Sequence, residues 1–323
     1  MTAQADLEIT VKITEKAQVA EDIYRFELTP VGDERLPAVE AGAHIDIEVP
    51  NGMIRKYSLC QEPDEEERYV IVVKREAQGK GGSKSLVDDT QIGDELRISS
   101  PVNDFPLTGK PARYLFIAGG IGITPIYSMT QSLIQTGGKP FKLYYFTRTP
   151  EQTAFLEEFQ APEYQGKVII HHDEGDPDKI FNLWPVLEQQ KGAYLYCCGP
   201  RQLMEDVKDM TGFWSGNSVH FEDFGKSDVA HQKDDKPFKV RIAGTDDLVN
   251  VPADKSILEA LRKQGYDLPS SCESGTCGTC RCGLLEGDAD HRDLVLTDEE
   301  HASNIMICVS RALSDELVLE LPK

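Results

Sequence analysis

The 323-residue chain is long enough for two or three domains, each with a core of its own. Its formal net charge of −21 argues against nucleic acid or an anionic membrane surface as a partner, since both would repel it. No stretch is apolar for the length of a bilayer span, and Met1-Thr2-Ala3-Gln4-Ala5-Asp6 lacks the basic and apolar regions of a secretory signal, so a cytoplasmic protein without disulfides is expected.

Residues 1–106 are expected to form the first domain. Alternating segments such as Leu7-Glu8-Ile9-Thr10-Val11-Lys12-Ile13 and His44-Ile45-Asp46-Ile47-Glu48-Val49, the second ended by Pro50-Asn51-Gly52, predict six or so strands. They suit a small closed antiparallel barrel with one helix starting near Ser83. Three stretches inside it stand out: Arg55-Lys56-Tyr57-Ser58, Val72-Val73-Lys74-Arg75 and Gly79-Lys80-Gly81-Gly82-Ser83. Alone, Tyr57 reads as a strand aromatic, Lys74 as a solvated charge and the glycines as a turn. Together they suit a planar ligand bearing a phosphate. Basic residues and a glycine-serine loop opening a helix attract an anion, and an aromatic followed by a hydroxyl stacks on a ring and hydrogen-bonds its edge.

The pattern changes after Pro106, and residues 107–225 read as a second domain. Tyr114-Leu115-Phe116-Ile117-Ala118 reads as a buried parallel strand leading through Gly119-Gly120-Ile121-Gly122-Ile123-Thr124-Pro125 into a helix to about Gln135, with Thr124 as N-cap and Pro125 as the first helical residue. Strand, glycine turn and helix make a dinucleotide-binding unit, although the turn is not the G-x-G-x-x-G fingerprint. Further strands at 142–146, 167–171 and 193–197 alternate with helices, the last running through Cys198-Gly199-Pro200 into a helix from Arg201 to about Met210. The ligand crevice of such a sheet lies at the carboxyl ends of its strands. Those ends carry Gly119, Gly120, Gly122 and Thr124, then Thr147 and Arg148, then Cys198, Gly199 and Pro200. Asp173 is placed to bond an adenosine ribose and repel a 2′-phosphate, which favours NADH, while Arg148 pulls the other way. His171 and His172, adjacent on a strand, point to opposite faces and read as structural.

Residues 226–236 are polar, aromatic-free and aperiodic, as a linker is. From Pro237 to Lys323 the last domain opens with strands at 238–242 and 248–251, then a helix capped by Ser256 and stopped by Gly265, and it closes with segments at 304–309 and 316–321. Between them Cys272, Cys277 and Cys280 stand at C-x4-C-x2-C, answered by Cys308. This is the ligand spacing of a plant-type [2Fe–2S] cluster, whereas zinc sites pair cysteines as two C-x2-C-like units and Cys308 has no such neighbour. Cys282 fits no ligand pattern and reads as a buried free thiol. From Pro237 onward the side chains sum to 9 basic minus 16 acidic, or −7, suited to a basic docking patch.

Arg55-x-Tyr57-Ser58 resembles the flavin motif of the ferredoxin-reductase superfamily, and the chain from end to end resembles the phthalate dioxygenase reductase family. The resemblance implies a multidomain fold: an antiparallel β-barrel flavin domain, an α/β parallel-sheet nucleotide-binding domain and an α+β plant-type ferredoxin (β-grasp) domain. It implies that FMN is held by Arg55, Lys56, Tyr57, Ser58, Val73, Lys74, Gly81, Gly82 and Ser83, with Tyr57 beside the isoalloxazine, Ser58 near its N5 and Phe224 covering it. FMN rather than FAD rests on the resemblance and on domain order. The reaction site falls to Ser58, Thr124 and Cys198; hydride transfer needs no protein nucleophile, so Cys198 is expected to pack and position. Electrons are expected to pass from NADH through FMN and the [2Fe–2S] cluster to the terminal oxygenase of a Rieske non-haem iron system for an aromatic acid such as phthalate, from a monomeric reductase. The alternatives are an O-demethylase or alkylamine monooxygenase system as acceptor, or a zinc-bearing binding module that is no enzyme.

Overall fold

Alternation builds the first sheet. Val11 and Ile13 on β1 (Ile9–Ala20) are fully buried while Thr10 and Lys12 face water, and Leu96 and Ile98 on β6 (Glu95–Ile98) repeat the pattern. With β2 (Ile23–Pro30), β3 (His44–Glu48), β4 (Ile54–Ser58) and β5 (Tyr69–Lys74) these strands pair antiparallel in the order β4-β3-β6-β1-β2-β5. Phe26, Leu28, Ile45, Ile47, Tyr69 and Ile71 fill the interior, and helix α1 (Gly82–Asp88) adds Leu86 and Val87. The edge strands meet at a single Leu59–Ile71 bridge, where the Cys60 N–H donates to the Val70 carbonyl at 2.8 Å, so the sheet closes into the expected barrel. This computed structural model describes residues 7–32, 35–62, 65–215, 218–224, 230, 232 and 234–322, in two compact units that divide between Leu203 and Met204. Met1 to Asp6 and residues 226–229, 231 and 233 of the expected linker lie outside the described residues.

The first unit continues with β7 (Arg113–Gly119), β8 (Phe141–Thr147), β9 (Val168–His172) and β10 (Ala193–Cys198), parallel in the order β10-β7-β8-β9. From Tyr114 onward β7 is buried at every residue, as a strand covered on both faces must be. A 3-10 turn at Gly120–Gly122 feeds helix α2 (Ile123–Gln135), and this corrects the expected cap. Thr124 stands inside the first helical turn, its hydroxyl donating to the Ile121 carbonyl at 3.0 Å, because the preceding turn already supplies helical backbone. Between β8 and β9 the chain makes three short 3-10 turns instead of the expected helix. Phe155 stacks there on Tyr127 of α2, and Phe159 meets Tyr127, Tyr145 and Tyr164 edge to face. Helix α3 (Trp184–Leu187) precedes β10, and α4 (Arg201–Met210) follows it.

After β11 (Val219–Glu222), the second unit holds β12 (Phe238–Ile242), β13 (Leu248–Val251), helix α5 (Ile257–Lys263), β14 (Arg281–Glu286), β15 (Ala289–Asp290), helix α6 (Asp298–His301), β16 (Asn304–Met306), β17 (Arg311–Ala312) and β18 (Glu316–Glu320). Its main sheet runs β13-β12-β18-β14-β16, with β12 and β18 parallel and the other pairs antiparallel. Ser256 and Glu259 form a reciprocal capping box on α5, and Gly265, at φ +95°, follows its C-cap Gln264. Ile257, Leu258 and Leu261 pack with Val240, Val251, Ile305 and Leu317. A mixed sheet gripping one helix is the expected α+β arrangement. Among the described residues no helix is long and apolar enough to cross a membrane.

The end of the expected linker is anchored. The Asp235 carboxylate, 6 % exposed, accepts from Arg292 at 2.6 Å and lies 3.4 Å from Arg311. Buried Arg311 also donates to the carbonyls of Lys236, Pro252 and Lys255.

Candidate active site and cluster centre

Strand β4 is an edge strand carrying Arg55, Lys56, Tyr57 and Ser58. The Tyr57 hydroxyl and Ser58 Oγ are buried with no hydrogen-bond partner. Burial pushes the Tyr57 phenol up to about 12 against the pull of the Arg55 charge, so it stays neutral and able to donate. Two orphaned hydroxyls are costly unless a ligand answers them, and the polar edge of a flavin ring is such a ligand. The Arg55 side chain lies across Gly82, its guanidinium donating to the Ile54 carbonyl and Met53 Sδ, two acceptors for five donors. No side chain caps α1, which starts there after Gly81, so its first N–H groups suit a phosphate beside Arg55. The remaining flavin candidates are engaged within the protein. Ser83 Oγ accepts from the Glu76 N–H, Lys74 pairs with Glu76 at 2.6 Å, Lys56 lies 3.6 Å from Asp104, and the Val73 side chain is in the barrel core.

At the carboxyl ends of β7 and β10 two loops interlock. A methyl group on Gly122 would overlap the Cys198 carbonyl, and one on Gly119 would meet Pro200, so the glycine turn packs directly on Cys198-Gly199-Pro200. Gly120, by contrast, has φ +53° and faces open space. Cys198 is buried, as a packing residue is. Thr147 is nearly buried, its hydroxyl engaged by Thr153 at 2.7 Å and His172 Nδ1 at 2.8 Å, while Arg148 is exposed. The Thr147 carbonyl accepts from the Asp173 N–H and the Arg148 carbonyl from the Glu174 N–H, so the acidic and basic candidates for the ribose share one corner. Asp173 Oδ1 also accepts from the Gly175 N–H at 2.8 Å. His171 bonds the Lys179 carbonyl and packs on Phe146 and Phe181, on the other face from His172. Phe224 belongs to the second unit and is half exposed.

Sequence reading missed Cys60. Its thiol, pushed up to about 12 by burial, donates to the carbonyls of Ser58 at 3.6 Å and Thr124 at 3.8 Å, tying the end of β4 to the start of α2. Nothing in the sequence signals this, since the two segments meet only in the fold.

In the second unit, Cys272, Cys277, Cys280 and Cys308 converge in two pairs. Cys272 and Cys277 are hydrogen-bonded to each other, as are Cys280 and Cys308. Hydrogen bonds from Cys277, Ser274 and Thr276 outweigh burial and hold the Cys272 thiol well below the usual range, whereas its contact with Cys272 raises Cys277. Four cysteines gathered in two contacting pairs fit a cluster of two irons with two thiolates on each. The loop between them needs Gly275, at φ +77° with Val309 and Asp293 pressed against its backbone. Leu258 at the start of α5 donates its N–H to the Ile307 carbonyl beside Cys308. Arg262, in the last turn of α5, donates to Glu273, Ser270 and the Leu268 carbonyl, and so holds the loop from behind. From sequence that arginine reads only as a helix-end cation. Cys282 is a buried free thiol pushed up to about 12 by desolvation.

Three family models match: an oxidoreductase FAD-binding domain over residues 10–106, an oxidoreductase NAD-binding domain over 116–209 and a 2Fe-2S iron-sulfur cluster binding domain over 240–313. Phthalate dioxygenase reductase of Burkholderia cepacia is 49% identical over 321 residues, covering 99% of both chains. The phthalate 4,5-dioxygenase oxygenase reductase subunit of Pseudomonas putida is 50% identical over 312 residues, covering 96% of both. A solved structure, described as phthalate dioxygenase reductase, a modular structure for electron transfer from pyridine nucleotides to [2Fe–2S], matches with a TM-score of 0.69 and 49% identity over 97% of this chain and 98% of that one.

Proposed function

Because the chain belongs to the phthalate dioxygenase reductase family, an oxidoreductase with flavin-, NAD- and [2Fe–2S]-binding domains, we propose that it passes electrons from NADH through FMN and its cluster to the oxygenase component of a Rieske non-haem iron system for an aromatic acid such as phthalate. A bound flavin takes up a hydride as an electron pair, and a [2Fe–2S] cluster carries electrons singly. The protein's own part is to hold, orient and exclude water.

Tyr57 and Ser58 meet the ring with their unpartnered hydroxyls, Ser58 toward its N5, and Arg55 with Gly81, Gly82 and Ser83 holds the phosphate. Lys56 and Lys74, with the backbone of Val73, border that pocket. Gly119, Gly120, Gly122 and Thr124 cradle the pyrophosphate against Cys198, Gly199 and Pro200, which set the nicotinamide. Thr147 and Arg148 border the ribose, and Asp173 selects NADH by repelling a 2′-phosphate. Cys272, Cys277, Cys280 and Cys308 hold the cluster. The domains are 1–106, 107–225 and 237–323 with 226–236 as linker, in a monomeric cytoplasmic protein. What carries this reading is the presence of all three sites in one chain that a reductase of this kind matches over 99% of its length.

The test is anaerobic titration of the purified protein with NADH and with NADPH, after the flavin of a parallel sample has been released and identified. FMN, a preference for NADH and uptake of about three electrons per chain, one of them giving a reduced-cluster resonance, are expected. A flavin that bleaches with no such resonance defeats the proposal.

A further inference from the structure

We propose that the cluster-bearing unit also holds a divalent transition-metal ion of the zinc class, at His291, Asp293 and His301. One ring nitrogen of each histidine and a carboxylate oxygen of Asp293 all lie within 4.8 Å of one another. The Asp293 side chain is fully buried, and its Oδ2 accepts the N–H groups of Val295 at 3.1 Å and Leu296 at 2.7 Å. That leaves Oδ1 facing His301 Nε2 at 3.2 Å. The spacing suits two donors each about 2.0–2.2 Å from one tetrahedral ion. His301 Nδ1 lies 4.0 Å from Asp298 Oδ1, which favours the tautomer that presents Nε2 as a ligand.

The second histidine makes the case. Its Nδ1 is buried without a hydrogen-bond partner, and its ring lies over that of His301 with centroids 4.0 Å apart, so one ring turns about its Cβ–Cγ bond when both bind one ion. An unanswered ring nitrogen inside a protein is destabilising, and protonating it would set two like charges face to face. A cation on the three donors answers the buried carboxylate and one nitrogen of each ring at once, and two imidazoles with one carboxylate are an ordinary zinc donor set. The His301 side chain is 19 % exposed, which gives an ion its way in. The site is separate from the four cysteines but braced against their loop, since the Leu294 N–H donates to the Gly275 carbonyl at 2.9 Å.

If His301 and Asp293 were only a hydrogen-bonded pair under a stacked ring, zinc would find no place there. The test dialyses the complete protein, flavin and cluster loaded, against zinc sulfate and counts bound zinc by mass spectrometry, with visible absorbance confirming that the cluster is retained. One additional zinc per chain is expected in the wild type and none in His301→Gln, and His291→Gln, read alongside, is expected to lose the same zinc. A wild type that takes up no zinc, or variants that take up as much as the wild type, would overturn the site.

Discussion

Ser58 and Gly122 carry opposite kinds of information about the proposed reaction site. Ser58 offers a buried hydroxyl that the protein itself does not use, so Ser58→Ala leaves stability untouched while a flavin edge loses one hydrogen bond. At about 1 kcal/mol this slows flavin reduction by NADH roughly five- to tenfold in rapid mixing, and an unchanged rate would remove Ser58 from the site. Gly122 is needed for what it lacks. In Gly122→Ala the new methyl meets the Cys198 carbonyl and forces the two loops apart. Overpacking of this kind costs about 1–3 kcal/mol. The KM for NADH is expected to rise several-fold while the flavin and cluster spectra stay normal, so a variant with wild-type KM would contradict the placing of the nucleotide here.

Elements that declare themselves by local pattern are legible in the sequence. The alternation on β1, the apolar run of β7 before its glycines, the Ser256 cap and the C-x4-C-x2-C loop each need only neighbouring residues to be read. Contacts between distant segments are not. Asp235 looks like linker because its neighbours are polar, yet its carboxylate is buried between Arg292 and Arg311, which lie more than fifty residues away in sequence. Burial pushes that carboxyl up, but the hydrogen bonds from Arg292 and the Gln232 N–H outweigh it and hold it below the usual carboxylate range. A depressed folded-state value means stability present above the unfolded aspartate value, about 3.9, and lost as pH falls through the folded one. Asp235→Asn takes from buried Arg311 its ion-pair partner and leaves Arg292 with Asp290, at a cost of about 3 kcal/mol near neutral pH. The deficit in denaturant unfolding is expected to shrink below the aspartate range, and an equal deficit at every pH would dissociate the clamp from that carboxylate. Thr124 and Thr147 show the same limit from the other side: both are the residue types the chemistry wants, and only the fold reveals that their hydroxyls are engaged by Ile121 and by Thr153 and His172.

Across the whole molecule the division of labour predicts separable losses. Cys308→Ser takes one thiolate from the cluster set, in a unit of its own, so the reduced-cluster resonance is expected to vanish while NADH still bleaches the flavin, with uptake falling from about three electrons to about two. Loss of flavin reduction along with the resonance would mean that the two units do not work independently. The seam of the barrel has a related consequence. Among the described residues its edges are joined by the Leu59–Ile71 bridge and by the Val70 N–H on the Gln61 side chain, directly after Ser58. A cylinder so lightly fastened parts there first, so deuterium should reach the Cys60 amide early in protein stripped of its pigment and late once the pigment returns. The yellow ring would then be the fastener of the vessel that contains it.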